Sequence, residues 1–396
     1  MKTRTLPALL LTLSLAVSSC LEDKVEVRYT TYTDQEYEAV SAVLNLPNDR
    51  IDYSVELPEH MIALGMAPPE INNAKATLGR VLFYDNKLSR NQSVSCASCH
   101  HQELAFADNK AFSEGFDGQL TLRNSLALGS VANFKSSYEG GGGSITGPPT
   151  PTQRQFFFWD ERAHSIAEQS SLTIQDDIEM GMDLNELAGR LEQVPYYRIL
   201  FNKAYNTEAV NPFMITDALQ EFLNSIVSTR TRFDDGLAAA GGDESRDFSS
   251  FTAKENQGKA LFIQHCASCH GANMSISRES LANNGLDEAY ADPGVGAITG
   301  NPADIGKFKV PFLRNIALTA PYMHDGRFAT LEDVVEHYNS GVNKHQNLDH
   351  RLRAPDGDSP RRLNLSNDEK AALVAFLETL TDEELVRASR FEDPFR

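Results

Sequence analysis

Cys96-Ala97-Ser98-Cys99-His100 and its copy Cys266-Ala267-Ser268-Cys269-His270 decide how this chain is read. In each, two thiols three positions apart can add across the two vinyl groups of a haem, and the adjacent imidazole is placed to reach the iron. Each is a c-type haem attachment sequence. Cys-x-x-Cys pairs also build zinc knuckles, but these two stand far outside ribbon spacing and each carries an additional histidine. A chain holding two covalent haems moves or stores electrons.

Working outward, 396 residues suffice for two domains with substantial cores. The two pentapeptides divide the chain into comparable parts, so an internal duplication is the first architecture to expect. Hydrophobic residues make up 41%, which fits a soluble globular protein. No internal apolar run approaches the roughly eighteen residues that span a bilayer.

Only the N-terminus looks membrane-directed. Lys2 and Arg4 precede the apolar run Leu6 to Val17, which closes on Val17-Ser18-Ser19-Cys20. A basic start, a short apolar core and small residues before the cut are the parts of a secretory signal. The cysteine resembles that of a bacterial lipobox, which implies loss of residues 1–19 and a lipid on Cys20; an ordinary signal peptide cut nearby is the alternative. Either way the mature protein is exported, to a compartment where c-type haem is attached. With Cys20 given to lipid and the other four cysteines to haem, no thiol is left for a disulfide.

The formal charge of −19 becomes −21 once Lys2 and Arg4 leave. Such a surface disfavours nucleic acid and favours basic partners, a small positively charged cytochrome among them. Simple solubilisation is the bland reading of the same charge.

Along the chain, residues 20–60 read as an acidic, Tyr-rich tether with at most one short helix, 61–245 as an N-terminal haem domain and 246–396 as a C-terminal one. Ala74, Leu78, Val81 and Leu82 recur at helical spacing from Asn73 to Asp85, leading into the first haem loop. Four glycines, Gly140 to Gly143, and then Pro148, Pro149 and Pro151 exclude a packed element; this run reads as a linker, with a lid at a substrate entrance as the other reading. Helices are expected over Asp183 to Tyr205 and Ile215 to Ser228, and Gly236 to Asp243 reads as the boundary between halves. Thr252-Ala253-Lys254-Glu255 and Ser366-Asn367-Asp368-Glu369 are capping boxes, and Thr330-Leu331-Glu332-Asp333 starts a further helix. No strand pattern of any length occurs, so the fold class is mainly α, two cytochrome c-like haem domains with long connecting loops.

Beyond the pentapeptides, several runs carry a resemblance. They are Leu78-Gly79-Arg80-Val81-Leu82-Phe83, Phe158-Trp159-Asp160, Glu168-Gln169, Glu179-Met180 and Leu313-Arg314-Asn315-Ile316-Ala317-Leu318-Thr319-Ala320-Pro321-Tyr322-Met323-His324-Asp325-Gly326. In this order, over about residues 70 to 380, the chain resembles the bacterial dihaem cytochrome c peroxidases and the related MauG group.

The resemblance implies a peroxidatic N-terminal haem on His100, with Gln169 and Glu179 lining its distal pocket. It also implies a C-terminal haem on His270 that relays electrons, Trp159 between the two, and a calcium ion at the domain junction held by Asn124, Thr319 and Pro321, with His324 close behind. Splitting an O–O bond heterolytically requires a group that moves a proton from the inner to the outer oxygen, which suits a carboxylate in a low-dielectric pocket. The implied activity is that of an oxidoreductase reducing hydrogen peroxide with electrons from a small redox protein. Family members are often dimeric.

Two departures stand out. Many family peroxidases place a blocking histidine seven residues before the Arg-Asn pair; here that position is Phe116, which cannot ligate iron, so the first haem is expected to be open without reductive activation. Fourteen residues after His324, where typical family peroxidases supply a methionine, stands Tyr338, as in the MauG group. A tyrosinate ligand stabilises high-valent iron; a core tyrosine on a helix face is the plain alternative. The readings left open are a MauG-like enzyme that oxidises residues of a partner protein and, in another class, a non-catalytic dihaem electron carrier.

Overall fold

A computed structural model describes residues 31–63, 66–130, 156–274, 277 and 279–396. The signal segment with Cys20 and the run from Gly140 to Pro151 lie outside the described residues. The fold is mainly α. Helices α1 (Asp34–Ser41), α2 (Glu59–Ala63) and α3 (Asn73–Tyr84) lead to the first pentapeptide, and α4 (Ile166–Gln175), α5 (Leu184–Glu192), α6 (Pro195–Tyr205) and α7 (Pro212–Ser225) follow it. Then α8 (Arg232–Ala239), α9 (Ala253–His265) and α10 (Ala267–His270) reach the second, and α11 (Val295–Thr299), α12 (Leu331–Glu336) and α13 (Asn367–Glu378) complete the chain. Two short antiparallel strands, β1 (Leu281–Ala282) and β2 (Phe308–Lys309), pair Leu281 with Lys309 and Ala282 with Phe308.

Local chemistry explains the boundaries. The Asn72 side chain accepts from the Ala74 and Lys75 N–H groups to start α3, and the expected capping boxes Thr252/Glu255 and Ser366/Glu369 are both closed. The single helix expected from Asp183 to Tyr205 is two. Pro195 has no N–H to give and its ring clashes with the preceding turn, so α5 ends at Glu192 and α6 restarts with proline in its first turn. Of the run Gly236 to Asp243, Gly236 lies inside α8, where a side chain would run into the Phe248 ring, while Gly241 and Gly242 follow the helix with positive φ.

One helix crossing is built twice. In the first half α3 packs on α7, in the second α9 packs on α13. A β-carbon on Gly79 would lie 1.9 Å from the Ala218 carbonyl oxygen, and one on Gly258 would lie 1.9 Å from that of Ala372. Each crossing therefore brings two backbones closer than any side chain permits, and each leads into a haem pentapeptide.

Two apolar cores surround these crossings. Phe83, Phe106 and Phe222 sit at the centre of one, Phe233, Phe262 and Phe376 at the centre of the other. Residues 31–53 are not a free tether: Tyr32, Val40, Leu44 and Tyr53 are buried in the first core, Val40 and Leu44 each contributing roughly 1.5–3 kcal/mol. The last turns of the chain join that same core. Leu385 and Phe391 are buried in it, Leu44 bridges Phe395, and Gln102 Nε2 donates to the Ala388 carbonyl at 3.0 Å.

A buried ionic cluster fixes the loop after β2. Arg314 donates from both terminal nitrogens to Asp234, each at 2.5 Å, and His60 Nε2 lies 3.3 Å from the same carboxylate. Burial by itself would raise the Asp234 carboxyl; the Arg314 guanidinium holds it well below the usual range. Removing one partner of such a pair costs about 3–5 kcal/mol.

Candidate functional site

Both pentapeptides present their histidine in the same way. His100 Nδ1 faces the Phe106 carbonyl at 2.8 Å and His270 Nδ1 faces that of Pro311 at 3.0 Å. A ring nitrogen against a carbonyl carries the proton, so Nε2 keeps its lone pair for a metal. Burial lowers both imidazoles, His270 to about 4, so they stay neutral as a ligand must. The four thiols are not cross-linked. Burial raises Cys96 and Cys266 to about 12 and Cys99 and Cys269 to about 11, leaving them protonated at neutral pH. A zinc cluster requires thiolates gathered on one ion, and among the described residues no three His, Cys, Asp or Glu side chains come together in that way.

Each pentapeptide opens into its own cavity. The first, of about 690 Å³, is lined by Cys96, Cys99 and His100 together with Phe83, Ile166, Leu219, Gln169 and Glu179. The second, of about 220 Å³, is lined by Cys266, Cys269 and His270 with Leu313, Leu373, Leu377, Met323 and Tyr338. Paired thiols, an oriented imidazole and apolar walls fit a covalently held flat macrocycle in each. The first cavity is the roomier of the two and the second a smaller slot.

Glu179 and Gln169 share the first cavity. Asp176, which ends α4, accepts the Ile178 and Glu179 N–H groups at 2.8 and 3.0 Å, and this turn places the Glu179 side chain on the cavity wall. Gln169, on α4, is steadied by donating from Nε2 to Thr173 Oγ1 at 3.0 Å. Burial pushes the Glu179 carboxyl up to about 7, Asp176 pushing the same way and Thr173 and Arg162 opposing. Phe116 does not line this cavity. Its ring packs over Gly181, where a β-carbon would come within 2.5 Å, and under the Arg90 guanidinium at 5.6 Å.

Tyr338 lies in the π-helical turn His337–Gly341 that continues α12, a wider turn of the kind found at functional positions. Its ring borders the second slot. Burial raises its hydroxyl and a hydrogen bond from Asn284 works against that rise. Asn284 also donates to Met323 Sδ at 3.4 Å, and its carbonyl meets His337 Nε2 at 3.0 Å.

Trp159 is a wall common to both cavities. Its indole N–H donates to the Asn124 carbonyl at 2.8 Å and its ring meets His324 edge-on at 6.5 Å. Asn124, Thr319 and Pro321, the expected calcium residues, all border the second slot. The Asn124 side chain donates to the Lys110 carbonyl at 2.9 Å, and Thr319 Oγ1 to that of Ile316 at 3.3 Å. His324 lies flat on Phe308, with ring centres 3.7 Å apart.

Sequence reasoning missed three features of this junction. Arg123 joins the two halves, donating to Asp160 at 2.6 Å and in two-pronged fashion to Asp292 at 2.7 and 2.8 Å. Lys309 and Glu161 form a buried ion pair at 3.0 Å, and Asn284 serves Tyr338. Arg123 and Asp160 stand out in the sequence through the resemblance, but nothing there ties these residues to partners 37 to 169 positions away.

Comparison with known proteins gives consistent relatives. Residues 73–241 match the di-haem cytochrome c peroxidase family and residues 256–381 the cytochrome c family. The chain is 32% identical over 327 residues to the methylamine utilization protein MauG of Methylorubrum extorquens, 78% of each chain being covered. It is 31% identical over 368 residues to the cytochrome-c peroxidase IdrP2 of a Pseudomonas species, covering 84% of this chain and 88% of that one. The crystal structure of a MauG-like protein associated with microbial copper homeostasis superposes with a TM-score of 0.69 at 31% identity, over 86% of this chain and 98% of the other.

Proposed function

The chain belongs to the di-haem cytochrome c peroxidase family, MauG proteins included, and from that premise we propose that it reduces hydrogen peroxide to water with electrons from a small redox protein. It is an oxidoreductase holding two covalent c-type haems, on Cys96, Cys99 and His100 and on Cys266, Cys269 and His270. When bound, the haem of the first cavity supplies an iron that receives peroxide and passes on its oxidising power.

The residues around it do the rest. Glu179, as carboxylate, takes the proton from the inner peroxide oxygen and delivers it to the outer one, which leaves as water; Gln169 orients the substrate by its amide. His270 and Tyr338 would hold the second haem iron, and Trp159, a wall of both cavities, would carry charge between the two haems. Two protons and two electrons complete the conversion of one peroxide to two waters. What supports this reading above all is a carboxyl raised to about 7 on the wall of the roomier cavity, since a proton carrier works best when its pKa lies near the working pH.

The sign of the pH dependence follows. With its pKa raised, Glu179 is the required carboxylate only above about 7. The expected kcat/KM for peroxide is flat above that pH and falls about tenfold per unit below it, and a stopped-flow pH series on the intact protein checks this.

The electron paramagnetic resonance spectrum of the ferric protein tests the whole assignment. One high-spin and one low-spin iron are expected; two low-spin signals leave only an electron carrier. Tyr338 beside the second slot favours a related reading, oxidation of residues on a partner protein in the manner of the MauG group. Steady-state turnover with peroxide and a reduced basic cytochrome c separates the two, because a maturation enzyme turns over poorly in that assay.

The protein is exported to the periplasm in this reading, tethered by lipid on Cys20. Among the described residues no helix is long and apolar enough to cross a membrane. The acidic charge, −19 for the full sequence and −21 without Lys2 and Arg4, suits a basic donor. We keep as proposals a calcium ion at Asn124, Thr319 and Pro321, a homodimer, and a division into haem domains at about residue 245.

A further inference from the structure

The turn that carries Trp159 is held in a costly shape. Phe157 and Ala163 close it, with the Phe157 N–H on the Ala163 carbonyl at 2.9 Å. Inside it Phe158 and Glu161 take left-handed backbone angles, φ 67° and 56°. Glycine would occupy position 161 without that cost, and a non-glycine residue stays there only where its surroundings over-determine it.

What holds Glu161 is a buried partner. Its Oε1 lies 3.0 Å from Lys309 Nζ, with side-chain exposures of 4% for the lysine and 9% for the glutamate. The same oxygen accepts from Ser280 Oγ at 2.5 Å. Lys309 also donates from Nζ to the Phe156 carbonyl at 3.0 Å and from its backbone N–H to the Trp159 carbonyl at 2.7 Å. Lys309 and Trp159 are both walls of both cavities. The tryptophan is thus fastened to β2 through its own carbonyl and, two residues on, through an ion pair, and the charges of that pair cancel at the point where the two haem sites meet.

We infer that Glu161 is a positioning residue for electron exchange between the haems: its pairing with Lys309 fixes the Trp159 turn against β2 and keeps the seam between the cavities electrically neutral. The inference rests on the reading of Trp159 as the relay. A buried charge beside an iron site changes its potential. Once Glu161 is neutral, burial alone acts on the Lys309 amine and lowers its pKa; in its protonated form its charge then disfavours the extra positive charge of both ferric irons.

The test uses the intact dihaem protein. In Glu161→Gln, spectroelectrochemistry is expected to show both midpoint potentials raised, and rapid-mixing kinetics an inter-haem exchange slowed at least tenfold. Neutralising both partners, Glu161→Gln with Lys309→Met, returns the potentials to their starting values while exchange stays slow, because the charge is balanced but the tie is absent. Glu161→Asp keeps the charge on a shorter arm and serves if the glutamine variant fails to take up haem; it should slow exchange and leave the potentials in place. Unchanged exchange in these variants, whatever their melting temperature, overturns the inference. Trp159→Phe is measured alongside: if it too leaves exchange unchanged the relay reading has failed, whereas slowing by Trp159→Phe alone refutes only the role of Glu161.

Discussion

Glu179→Gln is expected to lower peroxide turnover by about 10²- to 10⁴-fold, the range that a positioned proton carrier contributes. The substitution keeps size and hydrogen-bonding capacity and removes only the ability to take a proton. Attachment of both haems, read from the absorbance of the purified protein, should be unchanged. Stability supplies the control. The folded carboxyl titrates at about 7 instead of the usual 4.5, so the native state binds a proton that the unfolded chain has already released. Its burial penalty grows as pH rises from 4.5 to 7 and is complete above that. Glu179→Gln escapes the penalty and should melt at or above the native temperature at pH 8, by as much as about 3 kcal/mol. A variant that lost turnover because it lost its fold would show the opposite, and one that kept turnover within threefold would remove Glu179 from the chemistry.

The other large effect is expected at the repeated helix crossing. Gly79→Ala and Gly258→Ala each put a β-carbon where the Ala218 or Ala372 carbonyl oxygen already lies, 1.9 Å away. Backbone cannot rotate aside as a side chain does, so the helices must separate, and the cost is about 3 kcal/mol or more. Thermal unfolding of the purified variants should shift down by on the order of 5–10 °C. Gly189→Ala is the matched control. Gly189 lies within α5 with nothing within 4 Å of its would-be β-carbon, and alanine there is worth about 0.5–1 kcal/mol of added stability through helix propensity. If all three substitutions behave alike, the close approach at the crossings does not govern stability.

Much of this architecture was legible because its signals are local. A pentapeptide, a Thr-x-x-Glu box or an i, i+4 run of leucines carries its own chemistry, and α9 and α13 begin at the capping residues expected. Where local signals conflicted the reading went astray: the apolar period from Asp183 to Tyr205 masked the break that Pro195 imposes. The packing of residues 31–53 was illegible for a different reason. Tyr32 and Tyr53 look like surface residues of an acidic arm until a distant surface, including Phe391, covers them. The same holds at the site. Glu161 and Lys309 lie 3.0 Å apart in space and 148 residues apart in sequence, and no periodicity or motif registers such a meeting. Gln169 and Glu179 were singled out by resemblance alone, since an exposed acid and one lining a cavity are written with the same letter.

The seating of Leu385 and Phe391 in the first core bears on the order in which the protein matures. A ribosome delivers the N-terminal half first, yet that half waits for Leu385 and Phe391 before its interior can close. The second core ends at Leu380 and is complete sooner, reversing the usual rule that early domains finish early. Until the tail arrives, the surface beside Gln102 and Phe106 is uncovered, a few residues from Cys96 and Cys99. Through that interval the core behind those thiols lacks two of its buried side chains, Leu385 and Phe391.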